Sequence, residues 1–226
     1  MNAKIMKILL LGATGRTGKH VVDEALRKGH ELVCLVRRPE AIRQRHKQLT
    51  VLQGSPERIA DLEKALQDCE AVLSVLNISR NSDFPWSRLR TPKTLLSEVM
   101  TNLIKLSKQH AIRRVVVCSA WGVSDTKRFL PSWFVWLIEH SNVGFAYRDH
   151  ERQEEILMKS SLPWTIVRPT GLTNSKRNQN VIQSYNNDPK PNFTISRRSV
   201  AKYLVDAINN AALIRKAPVI SAANFL

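Results

Sequence analysis

Three glycines near the start of the chain constrain its fold more than any other feature. Gly12, Gly15 and Gly18 follow an apolar run, residues 5–11, that predicts a buried parallel strand, and a helical pattern begins after them. In this arrangement the first glycine permits a tight turn, the second lets the backbone approach a pyrophosphate, and the third lets helix and strand pack closely. The N–H groups at the helix start would face the anion. The stretch therefore predicts a dinucleotide site, with an ordinary glycine-rich turn as the alternative.

The rest of the chain alternates predicted strands and helices. The later strands are expected at 31–36, 50–53, 71–76, 114–118, 164–167, 193–195 and 218–221, and the helices at 17–28, from Ser55-Pro56, from Thr91-Pro92 to about 110, at 149–160 and at 198–210. This alternation predicts an α/β fold, a Rossmann-like doubly wound parallel sheet of order 3-2-1-4-5-6. We expect a single domain over residues 1–226, with a small substrate lobe formed by loops at about 78–92, 119–148 and 169–195.

The residues after the second predicted strand indicate which dinucleotide is bound. An NAD-binding unit usually has an Asp or Glu about 20 residues past the glycines, on the ribose 2′-hydroxyl. This chain has Arg37 and Arg38 there. Because a guanidinium pairs with a 2′-phosphate, the predicted cofactor is NADP(H). Two solvated arginines in a basic protein are the alternative.

The basic composition does not by itself identify a partner. The chain has 35 Lys and Arg against 19 Asp and Glu, a net charge of +16, scattered over its whole length. Such a charge attracts polyanions generally, but no recognition helix or base-stacking platform is evident, so we expect no specific nucleic acid. The apolar stretch 129–138 is too short to span a bilayer, and we expect no membrane partner and a monomer.

An aromatic-rich segment, residues 129–147, follows the fifth predicted strand. Such a stripe is usually packing. Its place at the end of a central strand also makes it a candidate wall or lid of a pocket for a flat ligand.

Cysteine usage bears on the compartment. Cys34, Cys69 and Cys118 are far apart, and each lies in or beside an apolar run. This pattern fits buried thiols in a reducing cytosol, so we expect a cytoplasmic protein without disulfides. No Cys/His cluster suggests a metal site.

Taken together, the motifs resemble an atypical short-chain dehydrogenase/reductase of the NmrA-like, NAD(P)H-binding family, and within it the group containing biliverdin IXβ reductase/flavin reductase. The segments that carry this resemblance span nearly the whole chain: GATGRTG (12–18), LVRRP (35–39), CSAWG (118–122), RDHERQEEIL (148–157), SSLPWTIVRPTGLTN (160–174) and ISRRSVAKYL (195–204).

The resemblance implies a set of cofactor-binding residues at the ends of the predicted strands. They are Gly12, Ala13, Thr14, Gly15, Arg16, Thr17, Gly18, Arg37, Arg38, Leu76, Asn77, Ser119, His150 and Pro169. Ser119 is expected beside the nicotinamide, and His150, which matches the subgroup's D-H motif, is expected to orient the cofactor or to assist proton delivery. A helix-start histidine satisfied by its neighbours is the alternative for His150. The chain departs from the subgroup at Gly54-Ser55, which replaces a Gly-Asp pair at the adenine, and at Gly171, which replaces a histidine.

The chain lacks the Tyr-x-x-x-Lys dyad with which classical short-chain dehydrogenases handle the carbonyl proton. Its three tyrosines, Tyr147, Tyr185 and Tyr203, are followed four residues later by Glu151, Pro189 and Ala207. We therefore expect hydride transfer from NADPH to a small planar anionic acceptor such as a flavin, tetrapyrrole or quinone, protonated from solvent, with Ser119 and His150 as the catalytic candidates. The alternative is a non-catalytic, NADP(H)-sensing regulatory or binding protein.

Overall fold

The computed structural model describes residues 4–177 and 179–223. Strands and helices alternate along these residues. The strands are β1 (Lys7–Leu11), β2 (Glu31–Val36), β3 (Leu49–Gln53), β4 (Ala71–Ser74), β5 (Arg114–Cys118), β6 (Trp164–Pro169), β7 (Gly171–Thr173), β8 (Val181–Ser184), β9 (Thr194–Ser196) and β10 (Val219–Ala222). The helices are α1 (Arg16–Arg27), α2 (Ile59–Leu66), α3 (Leu95–Leu106), α4 (Ser132–His140), α5 (Val143–Met158) and α6 (Arg197–Asn209).

One eight-stranded sheet, of order β3-β2-β1-β4-β5-β6-β10-β8, forms the centre of the molecule. Strands β1 to β6 and β10 run parallel to one another, and β8 pairs antiparallel with β10. The predicted order 3-2-1-4-5-6 is confirmed, and β10 and β8 extend it. Strand β8 lies in a stretch that the sequence predicts as loop. Its partner comes from the far end of the chain, so a local pattern could not reveal it.

Apolar cores cover both faces of this sheet. Because successive side chains of a strand point to opposite faces, Leu10 belongs to the core under α1 and α6, and Leu11 to the core under α2, α3 and α5. Burial on both faces explains why the central strands read as continuous apolar runs. The doubly wound arrangement expected from the sequence is confirmed.

Helices α2 and α3 begin later than predicted, because the residues expected to start them make other hydrogen bonds. Ser55 does not begin α2; its backbone N–H donates to the Asp61 carboxylate at 2.8 Å. Thr91 does not cap α3; its hydroxyl accepts the N–H of Ser79 at 3.0 Å. The capping acceptor of α3 is Asp149 of α5, which is fully buried and accepts the Leu96 N–H at 2.6 Å.

Helix α5 begins at Val143 rather than at the predicted residue 149, so the aromatic segment consists mainly of α4 and the first turn of α5. None of the described helices is long and apolar enough to cross a membrane.

The three thiols Cys34, Cys69 and Cys118 are free. Burial raises the pKa of Cys34 and Cys118 to about 12, so these side chains stay protonated at neutral pH.

Candidate functional site

The turn between β1 and α1 lies at the carboxyl edge of the sheet, and its glycines are required by close packing. Gly12 has a φ of +88°, and a Cβ there would lie 2.9 Å from the Val75 backbone. A Cβ on Gly18 would overlap the carbonyl oxygen of Gly12. Helix α1 therefore approaches the turn more closely than any larger residue would allow.

The start of α1 is open to an anion. Its N-cap residue is Gly15, no side chain caps the helix, and no acidic residue lies in its first turn. The first N–H groups of a helix carry partial positive charge and need an acceptor. A pyrophosphate satisfies both requirements, so the residues of this turn fit a dinucleotide.

Arginines from distant parts of the chain surround the same turn. Arg16 forms a two-pronged ion pair with Asp83, with N–O distances of 2.9 and 2.8 Å. Arg197, at the start of α6, donates to Asn174 Oδ1 at 2.7 Å. Burial, and then the nearby charge of Arg16, lowers the pKa of Arg197. The site thus gathers positive charge that a phosphate would relieve.

Arg37 and Arg38 follow β2 directly and are both exposed. Among the described residues neither forms a salt bridge. The loop after them borders an open cavity of about 1030 Å³ whose lining includes Arg43, Arg45 and Lys47. This side of the sheet edge is therefore basic and accessible, as a bound 2′-phosphate requires.

The residues after β4 lie beside the glycine turn. The backbone N–H of Val75 donates to the carbonyl of Leu11 at 2.9 Å and so continues the strand pairing past Ser74. Leu76 is half-buried and Asn77 is exposed. Both follow directly on a strand that flanks the turn, where a nucleotide would contact them.

Ser119, at the end of β5, belongs to a buried ion-pair network. Its hydroxyl donates to Glu154 at 2.6 Å, and Arg168 contacts the same carboxylate at 3.1 and 2.6 Å. Glu154 also accepts from Ser124, while Arg168 reaches Asp125 at 2.8 Å. Because its proton is engaged by Glu154, Ser119 offers oxygen lone pairs rather than a proton to a ligand.

His150 lies in α5, 3% exposed. Burial lowers its pKa to about 4, so the imidazole is neutral at pH 7. Among the described residues its Nδ1 has no hydrogen-bond partner. The neutral ring can orient a neighbouring group but does not carry a spare proton at neutral pH, and its role stays a prediction.

Two further buried polar atoms lie at the ends of β5 and β6. Trp121 Nε1 and Thr170 Oγ1 have no hydrogen-bond partner among the residues that the structure describes. The backbone N–H of Trp121 donates to the carbonyl of Pro169 at 3.0 Å, so the two strand ends are neighbours. Buried polar atoms are nearly always satisfied in native proteins. These atoms therefore fit a polar ligand group such as a carboxamide at this edge.

A loop that we call the strap, residues 78–90, crosses between the two parts of the edge. At one end Asp83 pairs with Arg16. At the other, Trp86 Nε1 donates to the carbonyl of His140 at 2.8 Å, and Asn142 Nδ2 donates to the Trp86 carbonyl at 2.9 Å. Two of the three loops predicted to form a substrate lobe are therefore joined, although substrate binding by them stays a prediction.

These observations define a dinucleotide-binding α/β protein of the Rossmann kind. Residues 12–211 match the family described as NAD(P)H-binding, and the chain belongs to this family, with NAD(P)H as its cofactor.

The relatives agree with this assignment. An uncharacterised chloroplastic protein of Arabidopsis thaliana is 26% identical over 94% of this chain and 74% of its own length. The photosystem II assembly factor Ycf39 of Synechocystis is 24% identical, over 93% of this chain and 61% of the factor.

Among solved structures, the anaerobillin reductase ChuY of Escherichia coli O157:H7 has a TM-score of 0.79 at 19% identity, covering 97% of this chain and 98% of that one. A short-chain dehydrogenase/reductase of Veillonella parvula in complex with NADP has a TM-score of 0.75 at 20% identity, covering 98% and 96%. The resemblance to atypical short-chain dehydrogenases and reductases of the NmrA-like kind is confirmed, and the chain has the fold of an NAD(P)H-binding oxidoreductase.

Sequence reasoning missed several residues of this edge. Glu154 and Arg168 lie in the quoted motifs but were given no role, and neither were Asp83 and Arg197. A Glu on an otherwise buried helix face and an Arg within an apolar strand are the signals that could have identified the first two, since such charges are almost never buried unpaired.

Proposed function

We propose that the chain is an NADPH-dependent reductase that passes hydride to a flavin or another planar conjugated acceptor, such as a linear tetrapyrrole or a quinone. The observation that carries the proposal is a dinucleotide turn beside an edge at which neither catalytic candidate has an acidic proton available at neutral pH. The Ser119 proton is engaged by Glu154, and His150 is neutral at pH 7. Conjugated acceptors suit such a site, because solvent can protonate them after the hydride arrives.

The tyrosines support the same conclusion. The hydroxyl of Tyr147, in α5, donates to the Trp121 carbonyl at 3.3 Å. Burial raises its pKa above the ordinary tyrosine value, which is the opposite of what a catalytic acid needs. The nearest sequence equivalent of a dyad lysine is Glu151.

The preference for NADPH rests on Arg37 and Arg38. Both are exposed at the end of β2 and have no carboxylate partner among the described residues. A 2′-phosphate between them would form charge-assisted hydrogen bonds, which a ribose hydroxyl cannot match.

In this proposal the protein acts mainly by positioning. The bound cofactor supplies the hydride. The start of α1 holds the pyrophosphate, and Ser119, fixed by Glu154, presents lone pairs to the carboxamide side of the ring. Trp121 and Phe193, with ring centroids 6.0 Å apart and planes tilted by 59°, would provide apolar contacts for the acceptor.

The charge of the site supports an anionic acceptor. Arg16 and Arg197 lie at the same edge as these two aromatic rings, and an acceptor with phosphate or propionate groups would be drawn there. We further propose that the chain acts as a monomer in a reducing compartment such as the cytoplasm, which its three free thiols support.

A non-catalytic, NADP(H)-sensing protein is the second candidate. The observation that favours it is the 24% identity to a protein named as an assembly factor. In that case NADPH would bind but never be consumed.

Turnover distinguishes the two candidates. Purified protein is mixed with NADPH and, separately, flavin mononucleotide, biliverdin or a quinone, and the nicotinamide absorbance is followed. We expect oxidation above the protein-free rate with at least one acceptor, and loss of it in Gly15→Glu, which places a carboxylate at the pyrophosphate position. Ala111→Glu, which adds the same charge at an exposed position before β5, is the matched control. NADPH binding without oxidation by any acceptor would support the sensing protein.

A further inference from the structure

Four aromatic rings project from the strap and α4. Phe84 and Trp86 are 62% and 45% exposed, and Trp133 and Trp136 are 66% and 54% exposed. If an aromatic side chain offers about 200 Å² of surface, these fractions leave roughly 450 Å² of ring in contact with water. An exposed apolar patch of this size on a monomer usually has a function.

Most residues of helix α4 are apolar, so the helix lacks a polar face on its solvent side. Its sequence is SWFVWLIEH, and Ile138 is its one buried residue. A surface helix normally has an apolar stripe on the core side and polar residues outside. An apolar helix that is not buried indicates a partner that covers it.

Contacts between the rings and one hydrogen bond hold the rings in defined positions. Phe84 and Trp86 have centroids 5.4 Å apart, and Trp86 meets the edge of Trp136 at 6.5 Å. Trp136 stacks on His140 at 5.1 Å. The hydrogen bond from Trp86 Nε1 to the His140 carbonyl fixes the strap on α4. We call this set, Phe84, Trp86, Trp133 and Trp136, the aromatic patch.

Positive charge surrounds the aromatic patch. The acidic residues of the same segments are neutralised, since Asp83 pairs with Arg16, Asp125 with Arg168 and Glu139 with Lys127. Several exposed cations nearby form no salt bridge among the described residues: Arg88, Arg90, Lys93, Arg128 and Arg148.

We propose that the aromatic patch docks the protein on an anionic lipid surface. Tryptophan suits the boundary between hydrocarbon and headgroups because its ring is apolar and its N–H is polar. These cations would meet lipid phosphates; Lys93, Arg128 and Arg148 lie over phenylalanine rings but have no carboxylate partner among the described residues. A second copy of the chain fits less well, because across a shared interface these cations would face like charges.

The proposal departs from the sequence-based expectation of no membrane partner. That expectation considered a spanning segment, whereas a peripheral surface needs only exposed rings and cations. None of the four rings is among the residues assigned to cofactor binding, so vesicle binding can be measured independently of the proposed reductase activity.

The test is vesicle flotation of the whole chain. Vesicles of phosphatidylcholine mixed with phosphatidylglycerol are compared with vesicles of phosphatidylcholine alone. We expect binding to the anionic vesicles, and a loss of roughly tenfold or more in apparent affinity when Trp133 and Trp136 are both replaced by serine. Tryptophan emission of the wild type should shift to the blue on the anionic vesicles, and this shift should be lost in the double variant.

The control is Ile5→Ser, because Ile5 is 59% exposed and precedes β1 at the opposite edge of the sheet. It should bind vesicles like the wild type, and thermal unfolding shows that both variants are folded. Absence of vesicle binding, or binding that the tryptophan substitutions leave unchanged, overturns the proposal. Concentration-dependent self-association, or binding to poly-glutamate but not to vesicles, that the double variant abolishes would also overturn it, in favour of a second copy or of an acidic protein.

Discussion

The two parts of the carboxyl edge of the sheet differ in whether their charged and polar groups already have partners within the protein. The nucleotide side, at β1, β2 and α1, has uncapped helix N–H groups and exposed Arg37 and Arg38. The acceptor side, at β5, β6 and α5, has charges that are buried and already paired, with Glu154 0% and Arg168 3% exposed. Polar groups without a partner can bind a ligand, whereas charges that already pair with each other hold neighbouring side chains in place. If the proposed function holds, most of the binding energy for the cofactor would come from the first part, and the paired charges of the second would hold Ser119 in position.

The largest expected effect is on the acceptor side. Glu154→Ala leaves the buried Arg168 with the half-exposed Asp125 as its remaining carboxylate partner, and we expect a loss of about 3 kcal/mol in the free energy of unfolding. Urea unfolding measures it. Glu151→Ala, exposed on the same helix, should change stability by less than about 0.5 kcal/mol. Similar losses in both variants would show that the pair does not stabilise this part.

The next effect is on the nucleotide side. Replacing Arg37 and Arg38 together by alanine should weaken NADPH binding by about 1.5–3 kcal/mol, because a charge-assisted pair with the 2′-phosphate is lost. Binding of NADH should stay the same. Titration calorimetry compares the two nucleotides, and the double alanine variant of Lys105 and Lys108, exposed at the end of α3, is the control for overall charge. An equal loss for NADPH and NADH would refute the role in 2′-phosphate recognition.

The pH dependence of stability tests the burial of His150. Its pKa is lowered from 6.5 to about 4, so the unfolded chain binds the proton more readily. The contribution of the neutral, buried His150 to the free energy of unfolding is fully present above pH 6.5 and is lost as the pH falls toward 4. Between pH 7 and pH 5 we expect the free energy of unfolding to fall by about 2 kcal/mol from this residue.

The measurement is a comparison of wild type with His150→Gln at the two pH values. His30 also has a pKa lowered, chiefly by burial, and contributes to both proteins equally. The variant should therefore lose less stability than the wild type on acidification. Equal losses would mean that His150 is accessible to protons in the folded state.

The smallest expected effect concerns the contact between the strap and the glycine turn. Asp83 is 79% exposed in its pair with Arg16, and such pairs contribute about 0.2–1 kcal/mol. Asp83→Asn should free Arg16 and remove a negative charge near the phosphates, so NADPH affinity should rise by up to about fivefold. Asp68→Asn, another exposed ion-pair partner, is the control. Weaker NADPH binding would show instead that the Arg16–Asp83 pair closes over the bound cofactor.

The same contrast explains what the sequence could predict. The nucleotide side is local in sequence, since strand, glycines, helix and arginines follow one another between residues 5 and 38. The strand order followed from alternation and handedness. The network of Ser119, Glu154 and Arg168 joins three elements that are distant along the chain. The spacing of apolar residues in the sequence cannot predict such contacts. The same holds for β8 and for the capping of α3 by Asp149.

A crystal structure of the protein grown with NADP tests the central claim most directly. The account predicts the pyrophosphate at the start of α1, the 2′-phosphate against Arg37 and Arg38, and the nicotinamide beside Ser119 with its other face toward Trp121. A 2′-phosphate that points to solvent away from both arginines, or a nicotinamide that does not reach Ser119, would contradict it.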